Sequence, residues 1–266
     1  MLRLVVSNQR GGVSKTTTTA TLARIFADQG MRVLVVDADP QGSLGLILGL
    51  RPSRHFYDFV VRNYPLGDCV VTAAPNLDVL CGSRDTAKVE ITLSSIAGRE
   101  FVLSRLLGDA EAPYDGVLID VSPSINLVQT CAMLYAGRVL IPVGMDMLSL
   151  QGAVACCETA RLLTEGFAMD VRPVALLPSM VDRRFSLTAY VLKALEEMSE
   201  RYGIALLQPI RTDGMVPRAG RAKKFLVDYN GACRAMEDYR AAAAQLAELP
   251  EVKSATARPH AEALTA

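Results

Sequence analysis

The sequence predicts one α/β domain whose mostly parallel, twisted sheet carries helices on both faces. Short apolar runs rich in β-branched residues recur along the chain, as buried parallel strands require. Segments with helical spacing of apolar residues separate these runs, and that alternation is typical of right-handed β-α-β crossovers. We find no internal repeat and no linker within residues 1–249, so we expect them to form a single domain.

The bulk composition limits the possible functions. Of the 266 residues, 50% are hydrophobic, and the formal net charge is zero. A large core is therefore expected, and any nucleic-acid surface has to be a local basic patch. The six cysteines form no C-x-x-C pair and no signal peptide is recognisable, so we expect reduced thiols in a cytoplasmic protein. No apolar run reaches membrane-spanning length, and no membrane partner is expected.

The first predicted strand, Leu2–Val6, leads through a glycine-containing loop into a helix that begins at Lys15. Such a loop presents successive backbone N–H groups to an anion, so it is predicted to hold phosphates. Lys15 supplies a positive charge for the β- and γ-phosphates, and the Thr16 hydroxyl can bind Mg²⁺. The predicted nucleotide-binding residues here are Gly11, Gly12, Val13, Ser14, Lys15, Thr16 and Thr17.

This loop departs from the strict pattern G-x-x-x-x-G-K-[ST], because Gln9 and Ser14 stand at the positions of its two glycines. A glycine-bearing turn with a surface lysine is therefore an alternative interpretation of the segment taken alone. The acidic ends of two later strands favour the phosphate site.

Those two strands are apolar and lead into aspartates. The second strand is followed by Asp37 and Asp39, and a later strand ends in Asp120. Carboxylates at the carboxyl ends of parallel strands face the ligand crevice of an open sheet, where they can bind Mg²⁺ and orient an attacking water. A simple polar turn is the alternative for the first pair. Combined with the phosphate loop, the aspartates predict a P-loop NTPase fold that binds the phosphates of a nucleotide and Mg²⁺.

The remaining elements are predicted from the same apolar patterns and from turn residues. Strands are expected near residues 69–71, 77–80, 139–143, 174–178 and 205–207. Helices are expected at residues 56–60, 100–107 and 232–248. Residues 149–152 are expected to lead into a long helix, and a separate helix is expected to end at residue 202. Residues 208–213 are expected to form a loop at the rim of the nucleotide site. Residues 250–266 have little apolar content, so we expect a disordered tail.

Seven short motifs, taken in their order along the chain, resemble those of ParA/Soj-type partition ATPases. These ATPases belong to the MinD/ParA group of deviant phosphate-loop ATPases. The family patterns K-G-G-x-G-K-T-T, D-x-D-P-Q-G and Y-D-x-x-x-I-D-x-x-P-S correspond to residues 10–17, 37–42 and 114–124. The patterns V-L-I-P-V, S-L-x-G, R-T-D and R-A-x-E-D-Y correspond to residues 139–143, 149–152, 211–213 and 234–239. The resemblance covers nearly all of residues 1–249, and its specificity comes from the whole series of motifs.

The resemblance implies an ATPase that closes as a homodimer around two ATP molecules and hydrolyses them slowly until a partner stimulates it. Lys15 is expected to bind the phosphates, and Asp39 to position the attacking water with Asp37 in its supporting network. The expected metal contacts are Thr16, Asp39 and Asp120, of which Asp120 matches the Walker B aspartate. The residues expected near the base are Pro209, Arg211, Thr212 and Asp213.

The resemblance is imperfect at Arg10, where family members carry a signature lysine that reaches across the dimer interface. Arginine keeps the charge and adds a planar fork of donors, so a catalytic role in trans resembling an arginine finger is expected. The alternative is a degraded signature in a protein with altered hydrolysis.

Two features predict a DNA-binding surface: one basic residue that matches a family position, and one cluster of basic residues near the C-terminus. Arg184 matches a basic position on the DNA-facing side of Soj-like proteins, whereas Met215 stands where the family usually has a basic residue. The predicted DNA-binding residues are Arg184, Arg218, Arg221, Lys223 and Lys224. A solvated basic face is the alternative interpretation of the cluster.

The resemblance also implies partners and a location. The ATP-bound dimer is expected to bind DNA without sequence preference on the nucleoid and to respond to a ParB-like centromere-binding protein. No DNA-reading domain precedes the first strand, so the chain is not expected to recognise an operator itself. Three alternatives are positioning of a protein cargo, a MinD-like membrane switch and a nucleotide-binding module without turnover. The alanine-rich last helix argues against the second, and the intact Asp39 and Asp120 argue against the third.

Overall fold

The computed structural model describes residues 1–256, apart from the side chains of residue 109 and of residues 254–256. Within these described residues, eight strands form one sheet in the order β3-β4-β2-β5-β1-β6-β7-β8. They are β1 (Leu2–Val6), β2 (Val33–Asp37), β3 (Val70–Ala74), β4 (Leu77–Leu80), β5 (Gly116–Asp120), β6 (Arg138–Val143), β7 (Arg172–Pro178) and β8 (Ala205–Leu206). All neighbouring pairs are parallel except β3 and β4, which confirms the predicted α/β fold.

Helices lie between and after these strands. In chain order they are α1 (Lys15–Asp28), α2 (Ser43–Leu48), α3 (Phe56–Val60), α4 (Leu66–Cys69), α5 (Lys88–Leu93), α6 (Val102–Ala110), α7 (Leu127–Ala136), α8 (Met147–Phe167), α9 (Ser186–Tyr202), α10 (Met215–Arg221), α11 (Leu226–Asn230), α12 (Arg234–Glu248) and α13 (Pro250–Thr256). Two short 3₁₀ segments, Arg84–Ala87 and Arg99–Phe101, precede α5 and α6. The predicted helix at residues 56–60 is α3, and the predicted alanine-rich helix is α12.

The sheet divides the core into two layers because successive side chains of a strand point to opposite faces. On β1 and β5, Val5 and Ile119 pack in the layer that also contains side chains of α7 and α8. Leu4, Val6 and Leu118 pack in the other layer, with side chains of α1 and α12. Both faces are therefore covered, and this accounts for the nearly continuous apolar character of the central strands.

The strand ends that carry the predicted site lie level with one another. Asp120 of β5 pairs in register with Val6 of β1 on one side and with Asp37 of β2 on the other. β1 lies between β5 and β6, so the chain changes its direction across the sheet at β1. Ligands of open α/β sheets bind at such a point, beyond the carboxyl ends of the strands.

The cysteine side chains lie in the core of the protein. All six thiols are free and buried, and burial raises the pKa of Cys81, Cys131, Cys156 and Cys157 to about 12. Within residues 1–256, no helix combines the length and apolarity needed to cross a bilayer.

The prediction of a disordered tail from residue 250 onward is wrong for its first part. Residues 250–256 form α13, which begins with a proline at a position where its missing N–H is not needed. Val252 is 1% exposed and packs in the same core layer as α12, and Lys253 pairs with Glu248. A single well-placed apolar side chain thus anchors a segment of low average hydrophobicity. Residues 257–266 lie outside the described part of the chain.

Candidate active site

The first half of the phosphate loop is fixed to the helices behind it. Ser7 and Asn8 are fully buried. The Asn8 amide donates to the Pro142 carbonyl at 2.8 Å and to the Ser149 carbonyl at 3.2 Å, and the Gln129 amide donates to the Ser7 hydroxyl at 2.9 Å. These bonds join the end of β1 to β6, α7 and α8, so the loop starts from a rigid platform.

Helix α8 makes a second close approach to the loop at Gly152. A Cβ atom at this position would lie 2.3 Å from Asn8 Oδ1 and 3.1 Å from both the backbone nitrogen and the Cβ of Arg10. Nothing larger than glycine fits there without displacing the loop. The S-L-x-G segment therefore serves the phosphate site, although it lies far from it in sequence.

Gln9 strengthens this attachment. Its amide donates to the Thr159 hydroxyl at 2.8 Å and to the Ala155 carbonyl at 3.2 Å, both on α8. The residue that occupies the position of the first glycine in the strict pattern thus has a structural function of its own.

The tip of the loop projects away from this platform. Arg10, Gly11 and Gly12 are exposed, and the Arg10 guanidinium has no hydrogen-bond partner within residues 1–256. It lies close enough to Asp146 to affect that carboxylate. Burial alone would raise the pKa of Asp146, but hydrogen bonds from Ser149 and the charge of Arg10 lower it.

Lys15, at the start of α1, folds back over the loop. Its Nζ donates to the Arg10 carbonyl at 2.8 Å and to the Asn8 carbonyl at 3.2 Å. Burial lowers the pKa of Lys15, and the nearby carboxylates Asp120 and Asp39 oppose that shift. The ammonium is thus positioned inside the loop and surrounded by acidic groups.

Thr16 and Asp120 form the centre of the site. The Thr16 hydroxyl donates to Asp120 Oδ2 at 2.6 Å. Asp120 is fully buried, and its Oδ1 has no hydrogen-bond partner among the described residues. Burial, reinforced by the negative charge of Asp37, raises the pKa of Asp120 well above its usual value. A buried, unpaired carboxylate oxygen beside a hydroxyl is the donor set that Mg²⁺ uses together with substrate phosphates, so these residues fit the metal.

Asp37 and Asp39 differ in their surroundings. Asp37 is fully buried and accepts hydrogen bonds from the Asp39 and Leu44 backbone N–H groups, both at 3.2 Å. Burial raises its pKa to about 7 against the effect of these bonds. Asp39 is half-buried, and its Oδ1 accepts from the Gln41 N–H at 2.8 Å. Asp37 therefore organises the turn, whereas Asp39 stays accessible to a ligand or water.

Two glycines allow the turn that carries Asp37 and Asp39 to pack closely against the backbone that follows β4. A Cβ at Gly82 would lie 2.5 Å from the Asp39 carbonyl oxygen and 2.8 Å from that of Asp37. Gly42 has a φ of +58°, and a Cβ there would lie 2.8 Å from the Gly82 carbonyl oxygen. The backbone after β4 therefore supports the turn that carries Asp39.

The two C-terminal motifs form one unit at the rim of the site. The Arg211 Nη2 donates to Asp238 Oδ1 and its Nε to Asp238 Oδ2, both at 2.8 Å. Asp213 accepts from the Met215 N–H at 2.9 Å and from the Ala235 N–H at 3.2 Å. The Tyr239 hydroxyl lies 3.1 Å from that of Thr18 on α1. The R-A-x-E-D-Y segment thus ties the R-T-D loop to the helix that follows the phosphate loop.

A cavity of about 650 Å³ opens between these elements. Its walls include Ser14, Thr17 and Thr21 on the phosphate-loop side, and Arg211, Thr212 and Asp213 on the opposite side. Pro209, which sequence reasoning also expected near the base, is not among the residues that line it. The cavity joins the phosphate loop to the predicted base rim and has room for a nucleoside.

Comparison with known proteins agrees with this geometry. The family model described as an AAA domain matches residues 1–172. The chromosome partitioning protein ParA of Caulobacter vibrioides is 36% identical over 196 residues, which are 71% of this chain and 73% of that protein. The sporulation initiation inhibitor protein Soj of Bacillus subtilis is 33% identical over 198 residues, or 73% of this chain and 78% of that protein. The chain belongs to the ParA/Soj family.

A solved structure shares the architecture of this ParA/Soj family member. The cobyrinic acid a,c-diamide synthase of Mycobacterium smegmatis, with bound ADP and magnesium, superimposes with a TM-score of 0.79 and 28% identity, covering 92% of this chain and 94% of that one. Membership of the ParA/Soj family makes the chain a P-loop ATPase, as the sequence predicted.

The basic residues expected to form the DNA surface of this ParA/Soj ATPase are all exposed but have different surroundings. Arg184 forms a forked ion pair with Asp182, with its Nη2 at 2.5 Å from Asp182 Oδ2. Arg221 and Lys224 line the nucleotide cavity. Lys223 packs its stem against Gly49, where a Cβ would lie 2.9 Å from Lys223 Cβ. Within residues 1–256, neither Arg218 nor Lys223 forms an ion pair or lines that cavity, and Arg218 lies on α10.

Several residues that build the site were not assigned a role from the sequence. They are Asn8, Gln129, Gly82, Gly152, Asp238 and Tyr239. The last three lie in motifs that the sequence already singled out, so position in a motif was the available signal. Gln129 carries no such signal, because it lies on a helix whose pattern is only apolar.

Proposed function

We propose that this chain is a partition ATPase that dimerises around ATP and Mg²⁺, binds DNA without sequence preference in that state, and releases the DNA on hydrolysis. The observation that carries the proposal is the Thr16–Asp120 pair, with its unpaired Asp120 Oδ1, beneath a lysine-bearing phosphate loop at the switch point of the sheet. Family membership supports partition as the cellular process.

The chemistry follows from what each side chain is free to do. Thr16 and Asp120 would hold Mg²⁺, which would neutralise negative charge on the phosphates when bound. Lys15 exchanges its bonds with the Arg10 and Asn8 carbonyls for phosphate oxygens. Asp39 is the accessible carboxylate at the rim and orients the attacking water. Asp37 stays fixed beneath it.

The proposed dimer forms through the surface around Arg10. Ile125 follows β5, and Met147 and Leu148 begin α8, so all three lie at the same edge of the sheet as the loop tip. They are 63%, 48% and 55% exposed, which is unusual for large apolar side chains. Apolar side chains around a desolvated charged group are typical of the centre of a protein interface. A second copy that covers this edge would bring the Arg10 of each subunit toward the nucleotide of the other.

DNA binding is proposed to involve Arg218, Arg184 and the exposed lysines beside α10. Phosphate contacts from a few such side chains suffice for non-specific binding even though the net charge is zero. Asp182 neutralises much of the Arg184 charge, so Arg218 is expected to carry the larger share. This assignment favours a nucleoid location over a membrane.

The stimulating partner is proposed to be a ParB-like protein bound to a centromere. A slow basal ATPase is consistent with an Arg10 that projects into solvent in the single chain, because its charge does not yet contact the nucleotide.

The test is DNA binding as a function of nucleotide. We expect the wild-type chain with Mg²⁺ and ATPγS to bind two unrelated duplexes with equal, salt-sensitive affinity, and to bind neither with ADP. Lys15→Ala is the matched control and should bind no duplex in either state. Binding that is indifferent to nucleotide, or a strong preference for one duplex, would overturn the proposal.

A further inference from the structure

Ser14 is held in a conformation that serine normally avoids. Its φ is 67° and its ψ is 24°, which is the left-handed region, and it immediately precedes Lys15. For a residue with a Cβ atom this region is strained, whereas glycine enters it freely. The same loop in the family usually has glycine at this position. Strain of this kind persists where the surrounding structure imposes it, and such places cluster at functional sites.

The side chain of Ser14 does not serve the helix that it precedes. Serine before a helix typically accepts a hydrogen bond from an N–H of the first turn, but Ser14 makes no such capping bond. Its backbone carbonyl accepts from the Thr18 N–H at 2.8 Å. The hydroxyl itself has no hydrogen-bond partner within residues 1–256, and the side chain is half-buried in the wall of the 650 Å³ cavity.

The position of Ser14 in the cavity wall determines which part of a bound ligand its side chain would contact. Thr17 lines the cavity on the same side, and Arg211 to Asp213 line the opposite side. A nucleotide with its phosphates on the loop and its base at that rim would run past Ser14 between its β-phosphate and its base. The charged side chains of the rim are already engaged, Arg211 with Asp238 and Asp213 with two backbone N–H groups. Among the described residues, the Ser14 hydroxyl is thus a donor without a partner in the wall of this cavity.

We infer that the Ser14 hydroxyl donates a hydrogen bond to an α-phosphate oxygen of the nucleotide. This inference rests on the proposed binding of ATP at the loop, and it adds a side-chain contact that a glycine cannot make. The strained backbone is then the consequence of keeping a hydroxyl at a position that favours glycine.

Two substitutions separate this contact from simple tolerance of serine. Ser14→Ala keeps the Cβ and removes the hydroxyl, whereas Ser14→Gly also removes the strain. We expect both variants to bind ADP about tenfold more weakly than wild type in calorimetry, since a hydrogen bond to a charged group is lost. In the absence of nucleotide, Ser14→Gly should have a higher Tm than wild type, and Ser14→Ala should not. Ser53→Ala, an exposed serine elsewhere, is the matched control and should change neither quantity.

The outcomes are distinct. If Ser14→Ala binds ADP as tightly as wild type, or if Ser14→Gly binds it more tightly, the hydroxyl contact is wrong and serine is only tolerated. If the wild-type chain fails to bind ADP, the proposed function fails, and the inference about Ser14 fails with it.

Discussion

The hydroxyl of Thr16 lies 2.6 Å from Asp120 Oδ2, although 104 residues separate the two in the chain. The bond joins the first turn of α1 to the end of β5 and leaves the second carboxylate oxygen buried without a partner within residues 1–256. A protein selected for stability alone would not keep an unpaired carboxylate oxygen in its interior. The arrangement is instead what a metal site requires before its metal and substrate arrive.

Asp120→Asn should separate stability from function. The change removes a buried negative charge next to Asp37, so we expect the free energy of unfolding without nucleotide to rise by about 1 kcal/mol. The same change removes the carboxylate that Mg²⁺ needs, so the gain in ATP affinity on adding Mg²⁺ should disappear. Thermal unfolding and calorimetry with Mg²⁺ or with EDTA measure the two effects. A less stable variant that still responds to Mg²⁺ would contradict this assignment of Asp120.

Gly152→Ala should disturb the phosphate loop from behind. Its Cβ would lie 2.3 Å from Asn8 Oδ1, so either the loop or α8 has to move, at a cost of about 1–3 kcal/mol in stability. We expect ATP binding to weaken as well. Gly166→Ala on the same helix is the matched control, because a Cβ there meets nothing within 4 Å, and it should stabilise the protein slightly. Equal Tm values and equal ATP affinities for the two variants would show that the close approach at Gly152 is unimportant.

Arg10 should matter for turnover and not for binding by the single chain. Its guanidinium contacts no other described side chain through a hydrogen bond, so Arg10→Ala should leave the ATP affinity of the monomer unchanged. Partner-stimulated hydrolysis should fall by on the order of 10³-fold, as for the loss of an arginine finger, and Arg10→Lys should retain part of it. Steady-state ATPase assays compare the three proteins. Undiminished rates in both variants would exclude a role for Arg10 in trans.

Arg218→Ala should weaken DNA binding more than Arg184→Ala. Arg218 forms no ion pair within residues 1–256, whereas Arg184 is held by Asp182. The logarithm of the DNA-binding constant falls linearly with the logarithm of the salt concentration, and each lost phosphate contact should make this slope less steep by about 1. Fluorescence anisotropy on one duplex at several salt concentrations gives this slope, with Arg105→Ala on α6 as a control of equal charge. Identical slopes for Arg218→Ala and Arg105→Ala would place the DNA surface elsewhere.

The sequence was informative wherever function depends on strand ends. Because parallel strands finish at one edge, Asp37 and Asp120 could be predicted to meet near the phosphate loop, and they pair in register. The packing of Gly152 on Asn8 could not be predicted, since it depends on the path of α8. That path brings two elements distant in the chain so close that a Cβ on Gly152 would lie 2.3 Å from Asn8 Oδ1. The anchoring of α13 by Val252 was missed because average hydrophobicity does not report a single buried contact.

The contacts made by the residues of the basic cluster could not be predicted from the sequence either. Spacing alone could not show that Arg221 and Lys224 line the nucleotide cavity while Lys223 packs on Gly49. That distribution depends on the turn after α10, where Lys223 has a φ of 56°. The four basic residues that are close in sequence, at positions 218, 221, 223 and 224, therefore do not share one environment in the structure.

Sedimentation velocity of the wild-type chain with Mg²⁺ and a non-hydrolysable ATP analogue tests the central claim most directly. The claim is that nucleotide bound at Lys15, Thr16 and Asp120 joins two copies through the edge that carries Arg10. We predict a monomer without nucleotide, a dimer with the analogue and Mg²⁺, and a return to monomer when EDTA is added. A chain that stays monomeric when saturated with the analogue and Mg²⁺ would contradict the account.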